Sequence, residues 1–345
     1  RNPSRSTVTR AIGDRRPTIE DIARMAGVSR GTVSRALNGG RHVSASSLAA
    51  VQQAIRDTGY TVNAAARSLA TRRSNTVVFV LSEPGERLFS DPNFSVLLPA
   101  CTHALAEHDF SLILMISATE AERDRVLRYV RGGHVDGVLL VSTHGGDPIL
   151  PAIDQTGVPV VSCGRALDES LGIPYVSAND REGARQMVRH LVESGHRTIA
   201  TIAGPQDTPG GVDRLLGYRD ILGRRARKRL IVEAADFGYD AGVAAMAELL
   251  NRSSDIDAIF AASDSLAAGA LTVLRRAGRA VPHDVAVGGF DDSSVAATAD
   301  PPLTTVRQPL AQVAREMVEV LLAVIRGETV SSRVLPTRLV VRSST

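Results

Sequence analysis

Tryptophan is absent from this chain of 345 residues, and all aromatics together make up 3% of it. Few side chains are therefore available to stack on a ring-shaped ligand. Cysteine is nearly absent too. Cys101 and Cys163 have neither the spacing of metal ligands nor that of a disulfide framework, and are expected to be buried thiols in a reducing cytoplasm. No apolar run approaches the roughly 18 residues that a membrane span requires. No signal-peptide-like apolar segment stands near the N-terminus either, so a cytoplasmic protein is expected. The usual signatures of catalysis are missing: no GxxxxGK phosphate loop, no HExxH, no GxSxG and no paired histidines. An enzyme is not expected, nor a metal, nor any cofactor. Lysine occurs once, at Lys228, so almost every positive charge is an arginine.

What is present is a soluble, globular composition, 43% hydrophobic and 22% charged, long enough for two or three domains. Its net charge of +3 is unevenly placed. Residues 1–75 hold 13 Lys+Arg against 4 Asp+Glu, a balance of +9, and the remainder is acidic at −6. A basic head on an acidic body predicts a head that binds a polyanion and a body with another task.

The most informative run is TIEDIARMAGVSRGTVSRALN, Thr18 to Asn38. Thr18 with Asp21 three residues on has capping-box spacing. Ile19, Ile22, Ala23 and Ala26 share one helical face, and Gly27 suits a tight corner. Ser29 can cap a second helix whose Val33, Ala36 and Leu37 face inward. Arg30, Thr32, Ser34 and Arg35 are left outward, suited to base edges and phosphates. A third helix follows Ser44 and ends at Gly59. NAAARSLA, 63–70, can form a short helix, while 1–16 is Arg-rich, polar and without periodicity, hence expected to be disordered. From Thr76 the texture changes to short β-branched strands alternating with amphipathic helices. That is a βαβ pattern, too long for one sheet, so two α/β lobes with parallel sheets are expected. In such folds ligands bind in clefts at the carboxyl ends of strands. The basic run RRARKR, 224–229, is read as a solvated loop.

Taken in order, these segments resemble the lactose-repressor (LacI/GalR) family of bacterial transcription regulators. The matching residues are 18–39, HVS at 42–44 and GYTVNAAARSLAT at 59–71. In the body they are LVESGHRTIATIAG (191–204), DRLLGYRDIL (213–222), AIFAASDSLAAGALTVLRRAG (258–278), VAVGGFDD (285–292) and PPLTTVRQP (301–309). The resemblance implies an all-α helix-turn-helix headpiece (17–61), behind the basic tail (1–16). A hinge helix and linker (62–75) leads to a two-lobed, periplasmic-binding-protein-like core (76–345). The first lobe would comprise about 76–175 and 304–334, the second about 176–303 and 335–345.

The resemblance also implies a homodimer, with a tetramer as the larger alternative, on double-stranded operator DNA. The operator would be a palindrome with a central CG, its half-sites about one turn apart. DNA contacts are expected from Thr18, Ser29, Arg30, Gly31, Thr32, Ser34, Arg35, Asn38, His42 and Ser44. Arg30 and Arg35 are suited to guanine. In the hinge they are expected from Asn63, Ala66, Leu69 and Ala70, Leu69 being the wedge at the CG step. Val62 departs from the family, where many members carry proline. The expected effector residues are Arg214, Asp264 and Phe237, joined by Asp91, Phe94 and Arg165. An aromatic face, a forked donor and a carboxylate suit a sugar. With so few aromatics, a mono- or disaccharide that releases the DNA is expected. The alternative is a regulator that needs a purine-like corepressor or a protein coeffector. A periplasmic sugar-binding protein would share the core but lack residues 18–70 and carry a signal peptide.

Overall fold

The computed structural model describes residues 17–37, 42–60, 73–168 and 171–345, which form two compact units divided between Ser74 and Asn75. In the first unit, helices α1 (Ile19–Ala26), α2 (Arg30–Leu37) and α3 (Ala45–Thr58) enclose Ile22, Ala23, Val33, Val51 and Ala54. The local chemistry follows the sequence. Thr18 and Asp21 close a reciprocal capping box on α1, and Gly27 ends that helix at φ 65°. Ser44 caps α3, and Gly59 ends it in the same left-handed conformation.

The second unit is built on two parallel sheets. Its strands begin with β1 (Thr76–Leu81), β2 (Ser111–Ile116), β3 (Gly137–Val141), β4 (Val160–Cys163) and β5 (Tyr175–Ala178). With β11 (Arg333–Leu335) they make the first sheet, in the order β11-β5-β4-β3-β1-β2. The second sheet runs β7-β6-β8-β9, from β6 (Ile199–Ala203), β7 (Ile231–Glu233), β8 (Ala258–Ala261) and β9 (Ala286–Gly288). Strand β10 (Thr305–Arg307) pairs antiparallel with β12 (Arg338–Val340). The central strands β1 and β3 are buried nearly end to end because helices cover both faces, which is why they read as unbroken Val/Leu runs.

On the first lobe lie α4 (Arg87–Ser90), α5 (Phe94–Ala106), α6 (Glu120–Arg131), α7 (Ile149–Asp154) and α13 (Leu310–Ile325). The second carries α8 (Asp180–Glu193), α9 (Pro209–Leu222), α10 (Tyr239–Arg252), α11 (Asp264–Arg276) and α12 (Ser294–Thr298).

The chain crosses between lobes three times, at points slightly different from the expected ones. Strand β5 hydrogen-bonds to β4, so the first lobe runs through Ala178 instead of ending at 175. Thr304 and Arg307 bridge to Gly288 and Asp291 of the second lobe, so the return lies after Arg307 and not at 304. Strand β11 keeps Leu335 in the first sheet, and the last crossing follows it. Among the described residues, no helix is long and apolar enough to cross a membrane.

Candidate ligand cleft and nucleic-acid interface

A cavity of about 170 Å³ lies at the carboxyl ends of strands from both sheets. Arg87, Asp91 and Phe94 reach it from the segment after β1, and Arg165 from the turn after β4. The second lobe supplies Arg214 from α9, Phe237 from the segment before α10 and Asp291 from the turn after β9. This is the crevice that open parallel sheets leave for ligands. Five of the six expected effector residues, Arg214, Phe237, Asp91, Phe94 and Arg165, line it.

Arg214 is its centre. Only 6% exposed, it donates from Nε and Nη2 to Asp180 Oδ1 (3.2 and 3.1 Å) and from Nη1 to the Ala262 carbonyl (2.6 Å). Nη1 also lies 3.4 Å from Asp291 Oδ1. The guanidinium stacks on Phe290 at 3.9 Å from the ring centroid, with Phe237 at 5.6 Å. Position 204 must be glycine for Phe237 to stand there, because a Cβ would come within 2.2 Å of its ring.

Around this cation carboxylates are in excess. Burial raises Asp91 and Asp180 above the ordinary range, although Arg87 and Arg214 pull against it at Asp91 and Arg214 does so at Asp180. Asp291 is pushed well above that range, first by burial, with the neighbouring Asp264 and Asp91 adding to it and Arg214 opposing. The wall thus offers carboxylate acceptors, Asp291 among them, which faces Arg214 and accepts from Gln308 Nε2 at 2.7 Å. Asp291 reaches this place on left-handed backbone, at φ 110°. Arg87 Nε, buried, has no hydrogen-bond partner among the described residues.

Asp264 is not brought into the wall. It is fully buried at the first position of α11, where Oδ2 accepts from Ser293 N (2.7 Å) and Oγ (3.0 Å) and Oδ1 from Thr305 Oγ1 (2.5 Å). Burial raises its pKa to about 6. In its place after the second sheet's strands, Asp291 reaches the cleft, one residue beyond Phe290 in VAVGGFDD. Arg165 lines the cleft, but its Nη2 donates to Asp213 Oδ1 of the other lobe at 2.9 Å. Asp180, Asp291 and Arg87 were not singled out in the sequence; Asp291 carried the only signal, its place in a quoted motif.

In the headpiece, Ser29, Arg30, Gly31 and Arg35 are exposed and Thr32 and Ser34 half-buried, all on or beside α2. Four expected contact hydroxyls have structural partners, Thr32 Oγ1 lying 2.9 Å from Ser29 Oγ. Thr18 Oγ1 donates to Asp21 Oδ2 at 2.7 Å; Ser29 Oγ accepts from Thr32 N at 3.1 Å; Ser44 Oγ accepts from Ser47 N at 3.2 Å. Arg30 lies 3.4 Å from Glu20, an exposed pair that costs little to exchange for a phosphate or a base. His42 is exposed at φ 62°. Asn38, Asn63, Ala66, Leu69 and Ala70 lie outside the described residues, as do Val62 and the tail 1–16.

A helix-turn-helix unit joined to a two-lobed core with a polar cleft defines a ligand-responsive transcription regulator. Comparison with known proteins agrees. Residues 18–63 match the family model described as bacterial regulatory proteins, lacI family, and 188–345 match a periplasmic binding protein-like domain. The HTH-type transcriptional regulator CelR of Thermobifida fusca is 48% identical over 96% of this chain and 98% of its own length. The HTH-type transcriptional repressor CytR of Escherichia coli (strain K12) is 31% identical over 95% and 96%. Among solved structures, a transcriptional regulator CelR–cellobiose complex is 46% identical, covers 96% of this chain and 100% of that one, and superposes with a TM-score of 0.75. A lac repressor dimer bound to operator and the anti-inducer ONPF is 27% identical over 96% and 99%, with a TM-score of 0.85. The chain belongs to the lacI family of bacterial regulatory proteins. It is a sequence-specific DNA-binding transcriptional regulator.

Proposed function

We propose that this regulator is a cytoplasmic, homodimeric repressor released from a palindromic operator with a central CG by a neutral disaccharide of the cellobiose type. The observation that carries the ligand class is the cleft wall. One buried guanidinium is already engaged by Asp180 and Asp291, with Asp91 beside them, while Phe94 and Phe237 supply aromatic surface. Such a wall receives hydroxyl donors and the C–H face of a sugar ring. It repels an anionic ligand, because the one central cation has no charge to spare. The solved CelR–cellobiose complex, 46% identical, supports the same class.

For the DNA side, Arg30 and Arg35 are the proposed guanine readers. Gly31 would let α2 approach the duplex closely, and Leu69 is the proposed minor-groove wedge. The regulator is proposed to bind its sugar without turnover.

Titration calorimetry on the full chain tests the ligand class. Cellobiose is expected to bind, and a phosphorylated disaccharide to bind about 100-fold or more weakly, since a like charge in a closed polar site costs several kcal/mol. Tight binding of a purine base with no response to cellobiose would overturn the sugar reading in favour of a corepressor.

A further inference from the structure

Among the described residues, three ion pairs span the lips of the cleft, and each has the same polarity. Arg87, His144 and Arg165 of the first lobe face Asp236, Asp207 and Asp213 of the second, at 3.7, 2.9 and 2.9 Å. Two of the three cations are arginines, charged at every pH of interest. The third is a histidine.

The ring of His144 lies between two carboxylates. Nδ1 is 2.9 Å from Asp207 Oδ2 across the cleft, and Nε2 is 3.1 Å from Glu83 Oε1 on its own lobe. A neutral imidazole can donate from only one nitrogen, so satisfying both acceptors requires the imidazolium. Next to the ring, the Gly145 amide donates to the Asp207 carbonyl at 2.6 Å, a second bond between the same two segments. Glu83 is held in place by Ser142 Oγ, which donates to its Oε1 at 2.7 Å.

We propose that His144 is a positioning residue for ligand capture: as an imidazolium it clasps the two lobes together through Asp207, and losing its proton loosens the closed cleft. Its ring atoms stand outside the cavity wall, so its effect on the ligand is exerted through closure. The inference about affinity rests on the reading of the cleft as the ligand site.

The charged surroundings agree with the assignment. Glu83 faces the ring from the segment after β1, with Arg87 further along, itself bound to Asp91 and Asp236. Asp147 of the ring's own loop accepts from Ser82 Oγ and from Ile149 N. Asp168, from the segment after β4, lines the same neighbouring hollow as His144, and Asp207 faces the ring from the segment before α9. The hydrogen bond to Glu83, then that to Asp207, raise His144 to about 9 in spite of half-burial. In an opened cleft Asp207 moves away and Glu83 alone remains, so the ring binds its proton less tightly. Closure is therefore fully favoured below the open-form pKa and loses this contribution as pH rises through about 9.

The test uses the full chain. The ring of His144, assigned by its absence in His144→Gln, is followed by NMR through a pH titration without ligand, in wild type and in Asp207→Asn. Titration near 9 is expected in the wild type. A value at least about one unit lower is expected in Asp207→Asn, where one carboxylate is neutralised. In parallel, cellobiose affinity should weaken about tenfold between roughly pH 7.5 and 10 in the wild type, and less than about twofold in His144→Gln. A ring that titrates near 6.5 in both proteins, or identical pH profiles with and without His144, would overturn the proposal. If cellobiose bound at no pH, the sugar reading would fall, while the ring titration would still decide the clasp.

Discussion

Arg214→Met is expected to abolish cellobiose binding while leaving the headpiece intact. Methionine keeps much of the volume but removes the charge that Asp180 and Asp291 both face, in a site where Arg214 is 6% exposed. Removing one partner of a buried ion pair costs about 3–5 kcal/mol, because the remaining charges lose compensation without regaining water. Part of that cost appears as lower stability of the core, seen in denaturant unfolding. The rest appears in the ligand, since the three carboxylates then bind protons and no longer present a fixed set of acceptors. The headpiece is a separate compact unit, so operator binding persists and no longer responds to sugar. Calorimetry and operator titration on the same preparation check both halves. Wild-type cellobiose affinity in Arg214→Met would refute the placement of this guanidinium at the centre of the site.

The converse variant is Ile22→Ala. Ile22 is fully buried in a headpiece core of five buried apolar residues, among them Val33 of α2 and Val51 of α3. Truncating a buried isoleucine to alanine costs about 2–5 kcal/mol. A unit this small has little stability to lose, so the headpiece unfolds and operator affinity collapses. The core, which shares none of that apolar cluster, keeps its sugar affinity and its main unfolding transition. Operator titration and calorimetry should therefore give the mirror image of Arg214→Met. Joint loss of both activities would show that the two units do not fold separately.

Much of this arrangement was legible in the sequence, for identifiable reasons. The capping box at Thr18 and Asp21, the corner at Gly27 and the cap at Ser29 are local signals, decided by residues within four positions of each other. The buried parallel strands announced themselves as β-branched runs, since both faces had to be apolar. What stayed hidden is non-local. Arg214 and Asp91 were expected through the family resemblance, but Asp180 and Asp291 converge on them from other segments, and nothing near either signals that meeting. Asp264 and Asp291 both follow strands of the second sheet, and composition alone cannot say which faces the cleft. The fold decides it: Ser293 and Thr305 hold Asp264 away from the cavity, while Asp291, on left-handed backbone, lines the cleft. The lobe boundaries shifted for a similar reason, because β5 and β10 are too short to show which sheet they join. His144 was a lone histidine until folding set Glu83 and Asp207 on either side of it.

The most direct test of the account is operator binding by the full chain with and without cellobiose, followed by fluorescence anisotropy on a palindrome selected from genomic fragments. The account predicts tight binding to a CG-centred site in the absence of sugar. It predicts an affinity at least about tenfold weaker in saturating cellobiose, an allosteric coupling of ordinary size. Equal affinity with and without cellobiose, or DNA binding that appears only when a second ligand is added, would contradict it.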